Sequence, residues 1–210
     1  MSSFSHPDRT LERGDLSSHP MEQFRRWFED AELEDISMPN AIALATADAT
    51  GHPSVRHVLL RGFDERGFVF YTNRRSRKGR DLAENPFASI VVLWKELDRQ
   101  VCATGTVEPT SEGESDAYFA SRPRDAQIGA WASPQSEILT SRSDLDAAVA
   151  DVDRRFEGAN VPRPPHWGGF RLRPDAVEFW QGRAFRLHDR LRYARDADEP
   201  IGWRIERLAP

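Results

Sequence analysis

Residues 54–80 read SVRHVLLRGFDERGFVFYTNRRSRKGR, and this stretch decides the fold. Residues 55–60 alternate side chains in the manner of a strand, and residues 68–72 form a β-branched and aromatic run, so both segments fit a sheet better than a helix. The loop 64–67 between them ends in glycine, which is typical of a hairpin. The sequence therefore predicts two paired strands here.

A cationic segment follows the second strand and predicts an anion site. Five cations fall within residues 74–80, and Ser76 is a candidate N-cap for a helix running towards Glu84. A helix start that offers hydroxyls, free amides and cations favours phosphate. Arg56 and Arg61 lie in an otherwise apolar strand, where each is expected to meet a carboxylate or a ligand phosphate.

Composition limits the classes of protein that are possible. The formal charge of the 210-residue chain is −5, so the basic segment is local and indicates a small anionic ligand rather than nucleic acid. No apolar run reaches the ~20 residues that span a bilayer, and residues 1–20 have no signal-peptide pattern. The single cysteine, Cys102, excludes an internal disulfide framework and CxxC metal or redox motifs. These features predict a cytoplasmic protein without a metal centre.

The order of elements predicts a mainly β chain with flanking helices, arranged as an antiparallel barrel or sandwich. Residues 21–31 have the apolar spacing of an amphipathic helix. Strands are predicted at 41–47, 87–97, 99–107, 167–172, 176–180, 185–195 and 202–208. A helical insert spans 111–158, with Ser111 and Glu114 as a capping box and a second helix at 144–156. We expect a flexible segment at 1–20 and a single domain at 21–210.

A second cationic pattern occurs in the C-terminal strand RLHDRLRY. Arg186, His188, Arg190 and Arg192 are spaced by two residues, so on a regular strand all four side chains project from one face. Such a face is expected to hold an anion. No GxSxG, HExxH, P-loop or GxGxxG motif accompanies it.

Taken together, ordered segments of the chain resemble the pyridoxamine 5'-phosphate oxidase family. The matching segments are RHVLLRGFDERGFVFYTN, SRKG, RQV, YFASRPRDAQIGAWASPQSE, PPHWGGFRL, EFWQG, RLHDR and ERLAP, and they cover nearly all of the chain from about Pro20. The resemblance implies a homodimer of FMN-binding split β-barrels, with one FMN in each of two clefts at the subunit interface.

The resemblance also implies roles for individual residues. The FMN-binding residues would be Arg56, Val58, Leu59, Arg61, Tyr71, Thr72, Arg77, Lys78, Gln100, Gln135, Ser136, Trp180 and Arg190. The substrate-binding residues would be Arg61, Tyr118, Arg122, Ala126, Arg186 and His188, of which Arg186 and His188 would lie over the substrate ring as the catalytic pair.

The activity implied is oxidation of pyridoxamine or pyridoxine 5'-phosphate to pyridoxal 5'-phosphate. A hydride would pass to the flavin and its electrons to oxygen, giving hydrogen peroxide. Three features depart from the family pattern: Arg61 replaces a usual lysine, Ala126 replaces a common serine, and the N-terminus lacks an RREY-like stretch, with only Arg9 and Arg13 as substitutes.

Two other functions remain open on the sequence alone. One keeps the flavin but oxidises reduced phenazine precursors, since a planar aromatic acid could use Arg122 and Arg186. The other is a non-catalytic flavin carrier or sensor. The intact set of Tyr118, Arg122, Arg186 and His188 favours the B6 oxidase.

Overall fold

The structure is a computed structural model that describes residues 9–210, in which groups of strands are separated by helices. The helices are α1 (Pro20–Leu33), α2 (Arg77–Glu84), α3 (Glu112–Ser121), α4 (Arg124–Ala132) and α5 (Arg142–Arg155). The strands are β1 (Ala41–Ala47), β2 (Pro53–Asp64), β3 (Gly67–Asn73), β4 (Phe87–Trp94), β5 (Arg99–Pro109), β6 (Trp167–Gln181), β7 (Asp189–Arg195) and β8 (Trp203–Leu208). None of the helices in this range is long and apolar enough to cross a membrane.

Six of the strands close into an antiparallel barrel. The order around it is β1-β2-β3-β6-β5-β4, and β4 pairs with β1 to complete the ring. The first half of β6 pairs with β3, whereas its second half pairs with β7, which carries β8 on its outer edge. The predicted split β-barrel with flanking helices is therefore confirmed.

The β2–β3 hairpin forms as the sequence predicts. Its loop is closed by the Asp64 carboxylate, which accepts a hydrogen bond from the Arg66 backbone amide at 2.9 Å. Gly67 has a φ of +136°, and a Cβ atom there would lie 2.0 Å from the carbonyl oxygen of Leu172. Only glycine combines that backbone conformation with such close packing against β6.

Helix α1 buries its apolar stripe in the barrel core. The Phe24 ring packs edge-on against Phe63 and Phe68, each at a centroid distance of 4.9 Å. Trp27 packs in the same way against Phe179 at 5.1 Å. Through these contacts, α1 connects the hairpin to the second half of β6. Apolar burial of this kind stabilises the folded protein by roughly 25 cal/mol per Å² of buried surface.

The structure describes only part of the N-terminal segment 1–20 that was expected to be flexible. Residues 1–8 of the segment expected to be flexible lie outside the described residues. From residue 9 onward the chain contacts the C-terminal strands: Leu11 is buried, its backbone amide donates to Asp189 at 3.1 Å, and the Ser17 carbonyl accepts from the Tyr193 hydroxyl at 2.7 Å.

The prediction of separate strands at 167–172 and 176–180 is wrong, because β6 is continuous. Pro174 pairs with Gly105, and the register of β5 against β6 shifts between Thr104 and Gly105. Proline cannot donate to a ladder and is tolerated at such a bulge. The proline that suggests a break between two strands therefore lies at a bulge within one strand.

The prediction of a strand from residue 185 is also wrong. Residues 184–186 form a 3₁₀ turn, and both Phe185 and Arg186 have left-handed backbones, with φ of 57° and 64°. The regular strand begins only at Asp189. Pleat alternation therefore does not extend to Arg186 and His188, and the four basic side chains do not share one strand face.

A buried arginine links the hairpin, α3 and β6. Arg171 is 4% exposed, and its guanidinium pairs with Asp64 at 2.7 Å and Glu114 at 3.2 Å. We expect Arg171→Met to lower the free energy of unfolding by about 2 kcal/mol, because two carboxylates lose a buried partner. The midpoint of urea unfolding measures this loss. Arg173→Met, which removes an exposed pair with Glu108, is the control and should change it by less than about 0.5 kcal/mol.

Candidate active site

A cavity of about 470 Å³ opens between the β2–β3 hairpin, α2 and the α3–α4 pair. Eleven of the residues proposed from the sequence line it: Arg56, Val58, Leu59, Arg61, Tyr71, Thr72, Lys78, Tyr118, Arg122, Ala126 and Gln135. These residues come from five separate elements and two loops. The fold therefore brings together the larger part of the predicted flavin and substrate set.

Lys78 lies at the buried end of this cavity. Its side chain is 8% exposed, and Nζ donates to Thr72 Oγ1 at 3.2 Å, Ser76 Oγ at 3.2 Å and Gln135 Oε1 at 3.0 Å. All three partners are neutral, so no carboxylate offsets the cost of burying the ammonium through a direct hydrogen bond. Burial, reinforced by the nearby Arg56 charge, lowers the pKa of Lys78 to about 8.

Ser76 prepares the same end of the cavity from the backbone side. Its hydroxyl caps α2 by accepting from the Gly79 amide, as predicted. Gly79 packs so closely on the preceding turn that a Cβ would lie 2.2 Å from the Arg74 carbonyl oxygen. The first turn of α2 is therefore held against the cavity with Lys78 pointing inward.

Arg56 meets a carboxylate of its own chain, one of the two partners that the sequence left open. Its guanidinium lies 3.8 Å from Asp81 and donates to Thr46 Oγ1 at 2.7 Å and to the Ser54 hydroxyl. Asp81 in turn accepts from the Thr46 and Ser54 hydroxyls at 2.6 and 3.0 Å. This network holds Arg56 at the cavity wall.

Three stacked aromatic rings form the opposite wall. Tyr71 stacks on Tyr118 at 4.0 Å and on Trp167 at 5.5 Å. Arg122 lies over the Trp167 ring at 4.7 Å, and Arg61 over the Tyr118 ring at 5.9 Å. These contacts orient two guanidinium groups towards the cavity without neutralising them.

Arg122 carries an unsatisfied donor. Its Nη1 atom is buried and has no hydrogen-bond partner, and burial lowers the pKa of the guanidinium. Within residues 9–210, no carboxylate pairs with Arg122 or Arg61. Buried donors of native proteins nearly always have a partner, so this end of the cavity is suited to an anion.

Arg77 and Ser136 do not line the cavity but meet at its rim. The Arg77 amide donates to Ser136 Oγ at 3.1 Å, next to the contact between Lys78 and Gln135. Ser136 has a left-handed backbone, with φ of 74°. The two predicted segments, 77–78 and 135–136, are thus joined.

The remaining predicted residues form a second group, here named the Trp180 cluster: Gln100, Trp180, Arg186, His188 and Arg190. Trp180 is the cross-strand partner of both Gln100 and Arg190. The His188 ring lies against Trp180 at 4.6 Å. These residues assemble at the end of β6 that is remote from the cavity.

Two cationic side chains of β7, Arg190 and Arg192, are already paired with carboxylates. Glu178 accepts two hydrogen bonds from Arg190, at 2.7 and 3.0 Å, and Glu206 pairs with Arg192 at 2.6 Å. For Arg190 and Arg192, the anionic groups expected across this face are therefore carboxylates of the same chain, Glu178 and Glu206. Sequence spacing shows which residues share a face, but it does not show which carboxylates from neighbouring strands face them.

A single protomer keeps the cavity and the Trp180 cluster apart. Tyr71 of the cavity is paired with Gly169 near the start of β6, whereas Trp180 lies near its end. At about 3.3 Å per residue, the two positions are up to about 36 Å apart along the strand. None of the Trp180 cluster lines the cavity.

Six lining residues were not predicted from the sequence: His57, Asn73, Gly129, Ala130, Ser133 and Trp167. Helix α4 was not predicted either, although Ala126, Gly129, Ala130 and Ser133 follow the i, i+3, i+4, i+7 spacing of one helix face. That periodicity was the available signal. Among residues 9–210, no group of three or more His, Cys, Asp or Glu side chains is placed to hold a metal ion.

The family profiles that match this chain and the named proteins similar to it agree in their descriptions. A family profile described as pyridoxamine 5'-phosphate oxidase matches residues 28–156, and one described as the pyridoxine 5'-phosphate oxidase C-terminal dimerisation region matches residues 167–210. Proteins named pyridoxine/pyridoxamine 5'-phosphate oxidase from Burkholderia thailandensis and Burkholderia pseudomallei are each 55% identical over 201 residues, which cover 96% of this chain and 94% of theirs.

Solved structures share the fold. PhzG from Burkholderia lata 383, crystallised in complex with tetrahydrophenazine-1-carboxylic acid, has a TM-score of 0.90 at 36% identity, covering 97% of this chain and 98% of that one. A pyridoxamine 5'-phosphate oxidase-related, FMN-binding protein from Nostoc punctiforme has a TM-score of 0.69 at 18% identity, covering 93% and 99%. The latter likeness concerns the fold alone.

Proposed function

The chain belongs to the pyridoxamine 5'-phosphate oxidase family, and we propose that it is an FMN-dependent oxidase converting pyridoxamine and pyridoxine 5'-phosphates to pyridoxal 5'-phosphate. One observation carries the proposal. The cavity holds two cationic positions that lack a direct carboxylate hydrogen bond, Lys78 at one and Arg61 with Arg122 at the other. Two phosphates, one of the cofactor and one of the substrate, match these two positions.

The residues around Lys78 fit the phosphate of FMN. A buried ammonium with only neutral hydrogen-bond partners gains a charge-assisted partner when phosphate binds. Thr72, Gln135 and the joined pair Arg77–Ser136 supply further donors at the same place. The chemistry that FMN supplies when bound is acceptance of a hydride and transfer of the electrons to oxygen, which yields hydrogen peroxide.

The substrate phosphate is assigned to the other cationic position. Arg122 offers its unpartnered Nη1 atom, and Arg61 lies over Tyr118 on the same wall. The stacked rings exclude water from one side of the cavity and fix the two guanidinium groups. Arg61 keeps the positive charge of the usual lysine but presents a planar fork, which suits bidentate contact with phosphate.

A homodimer accounts for the Trp180 cluster. Because this cluster lies far along β6 from the cavity, we infer that each complete site combines the cavity of one protomer with the cluster of its partner. The match to a C-terminal dimerisation region over residues 167–210 supports this arrangement. Arg186 and His188 would then lie over the substrate ring, where they position it against the flavin.

A second candidate is oxidation of a reduced phenazine precursor. Ala126, Gly129 and Ala130 line the cavity with nothing larger than a methyl group, which leaves room for a larger ring system. PhzG, whose fold matches this chain closely, was crystallised with a tetrahydrophenazine carboxylic acid. A carboxylate could take the place of the substrate phosphate beside Arg122.

An anaerobic flavin-bleaching assay tests the two functions. We expect pyridoxamine and pyridoxine 5'-phosphates to bleach the visible flavin band of the purified protein. Admission of air should restore the band and release pyridoxal 5'-phosphate and hydrogen peroxide. Bleaching by a dihydrophenazine acid alone would favour the second candidate, and a flavin that every substrate leaves oxidised would indicate a carrier. A protein purified without flavin would contradict the cofactor assignment.

The buried Lys78 predicts a pH dependence of FMN binding. Its pKa of about 8 in the free protein means that the ammonium form prevails below pH 8 and is lost above it. Phosphate binding favours the ammonium, so FMN affinity should fall as pH rises above about 8, by up to tenfold per unit. Titration of flavin-free protein with FMN between pH 6 and 10 measures the slope, and Lys78→Arg should remove it.

A further inference from the structure

The turn that carries His188 is built around an unusual hydrogen bond. The backbone amide of Arg183 donates to Nδ1 of His188 at 3.1 Å. Between these two residues, Phe185 and Arg186 both adopt left-handed backbones, and Phe185 is 93% exposed. Consecutive non-glycine residues in this conformation are strained, and such strain persists only where surrounding contacts hold it in place.

The hydrogen bond determines which ring nitrogen bears the proton. A backbone amide can only donate, so Nδ1 must be the unprotonated acceptor. The neutral ring then carries its hydrogen on Nε2. Protonation of the ring would place an N–H at Nδ1 facing the Arg183 N–H, and this contact disfavours the imidazolium form. Burial, followed by the Arg186 charge, likewise lowers the pKa of His188.

Asp189 connects this turn to the rest of the chain. Its Oδ2 atom accepts from the Arg183 guanidinium and from the Leu11 amide, both at 3.1 Å. Its Oδ1 atom accepts from Arg207 at 2.9 Å, and Arg207 also donates to the Leu11 carbonyl at 3.1 Å. Arg183 is thus held at both ends, by its backbone on His188 and by its side chain on Asp189.

We propose that the Arg183 backbone amide, held in place by Asp189, fixes His188 as the Nε2–H tautomer. His188 is then a hydrogen-bond donor at Nε2. Its Nδ1 atom is occupied by the Arg183 amide and does not take up a proton. Asp189 and Arg183 are positioning residues in this arrangement. The state of the ring follows from the turn itself, whereas its use towards a substrate rests on the proposed function. With this tautomer, His188 orients an electron-rich substrate atom and does not serve as a general base.

Nuclear magnetic resonance of the deuterated, ¹⁵N-labelled protein tests the proposal in the oxidised resting state. The His188 ring signals are identified by their disappearance in His188→Gln. We expect the ¹⁵N chemical shift of Nδ1 to be that of an unprotonated ring nitrogen and the shift of Nε2 to be that of a protonated one. We also expect a scalar coupling across the hydrogen bond between the Arg183 amide nitrogen and His188 Nδ1. A protonated-type Nδ1, or no coupling between the two assigned nitrogens, would overturn the proposal.

Variants separate the contribution of Asp189 from general damage to the turn. Asp189→Asn should abolish the coupling, and its persistence would remove Asp189 from the arrangement. Arg207→Gln, which loses a different contact of the same carboxylate, should retain it. If Asp189→Asn does not fold, Arg183→Ala, which keeps the backbone amide but not the guanidinium, should also lose it. If the coupling is present but neither pyridoxamine nor pyridoxine 5'-phosphate bleaches the flavin band, only the proposed function is contradicted. If the flavin band is bleached but the coupling is absent, only this inference is contradicted.

Discussion

Lys78→Met should weaken FMN binding about 100-fold while leaving the barrel folded. The ammonium is 8% exposed, and its direct hydrogen bonds go only to neutral groups, so in the proposed site it is available to the cofactor phosphate. A charge-assisted hydrogen bond of this kind contributes about 1.5–3 kcal/mol, and 100-fold corresponds to about 2.7 kcal/mol. Methionine fills a similar volume without a donor. Titration of flavin-free protein with FMN, followed by quenching of flavin fluorescence, measures the change.

Arg80→Met is the matched control for this variant. Arg80 belongs to the same helix, but it is exposed and pairs with Glu137 at 3.1 Å. Its loss should change FMN affinity by less than about threefold, since exposed pairs contribute little. Thermal unfolding of the flavin-free variants checks that both are folded. Equal affinity in Lys78→Met and the unmodified protein would place the cofactor phosphate elsewhere.

Features that depend on local sequence could be predicted correctly. Ser76 caps α2 and Ser111 caps α3 because a hydroxyl at that position satisfies amides only two or three residues away. The hairpin at 64–67 likewise depends on neighbouring residues alone. The cationic end of the cavity at Lys78 follows from such a local signal, so the phosphate site proposed there could be predicted without knowledge of the fold.

Features that depend on contacts between distant residues were missed. Glu178 lies 12 positions before Arg190, and only the β6–β7 register brings the two carboxylate oxygens onto that guanidinium. Pro174 suggested a strand end because nothing nearby in the sequence reveals the bulge opposite Gly105. The left-handed turn before Asp189 is held by a backbone-to-histidine hydrogen bond that no periodicity encodes.

The largest effect on turnover is expected from Arg122→Met. The guanidinium has a buried Nη1 atom without a partner, is stacked 4.7 Å over Trp167, and pairs with no carboxylate among residues 9–210. Removing one member of a buried charge pair costs about 2–5 kcal/mol. We therefore expect kcat/KM for pyridoxine 5'-phosphate to fall by about 100- to 1000-fold, with FMN content unchanged. Arg124→Met, which removes an exposed neighbour paired with Asp153, should lower it less than about threefold.

Pyridoxine without its phosphate identifies the group that Arg122 binds. If Arg122 contacts the phosphate, removal of the guanidinium and removal of the phosphate eliminate the same interaction, so their effects are not additive. Arg122→Met should then oxidise pyridoxine at a rate within about fivefold of the unmodified protein, although both oxidise it poorly. An equal loss with both substrates would instead place Arg122 against the ring or in support of the aromatic wall. The comparison thus tests which end of the cavity receives the substrate phosphate, independently of how tightly FMN is held.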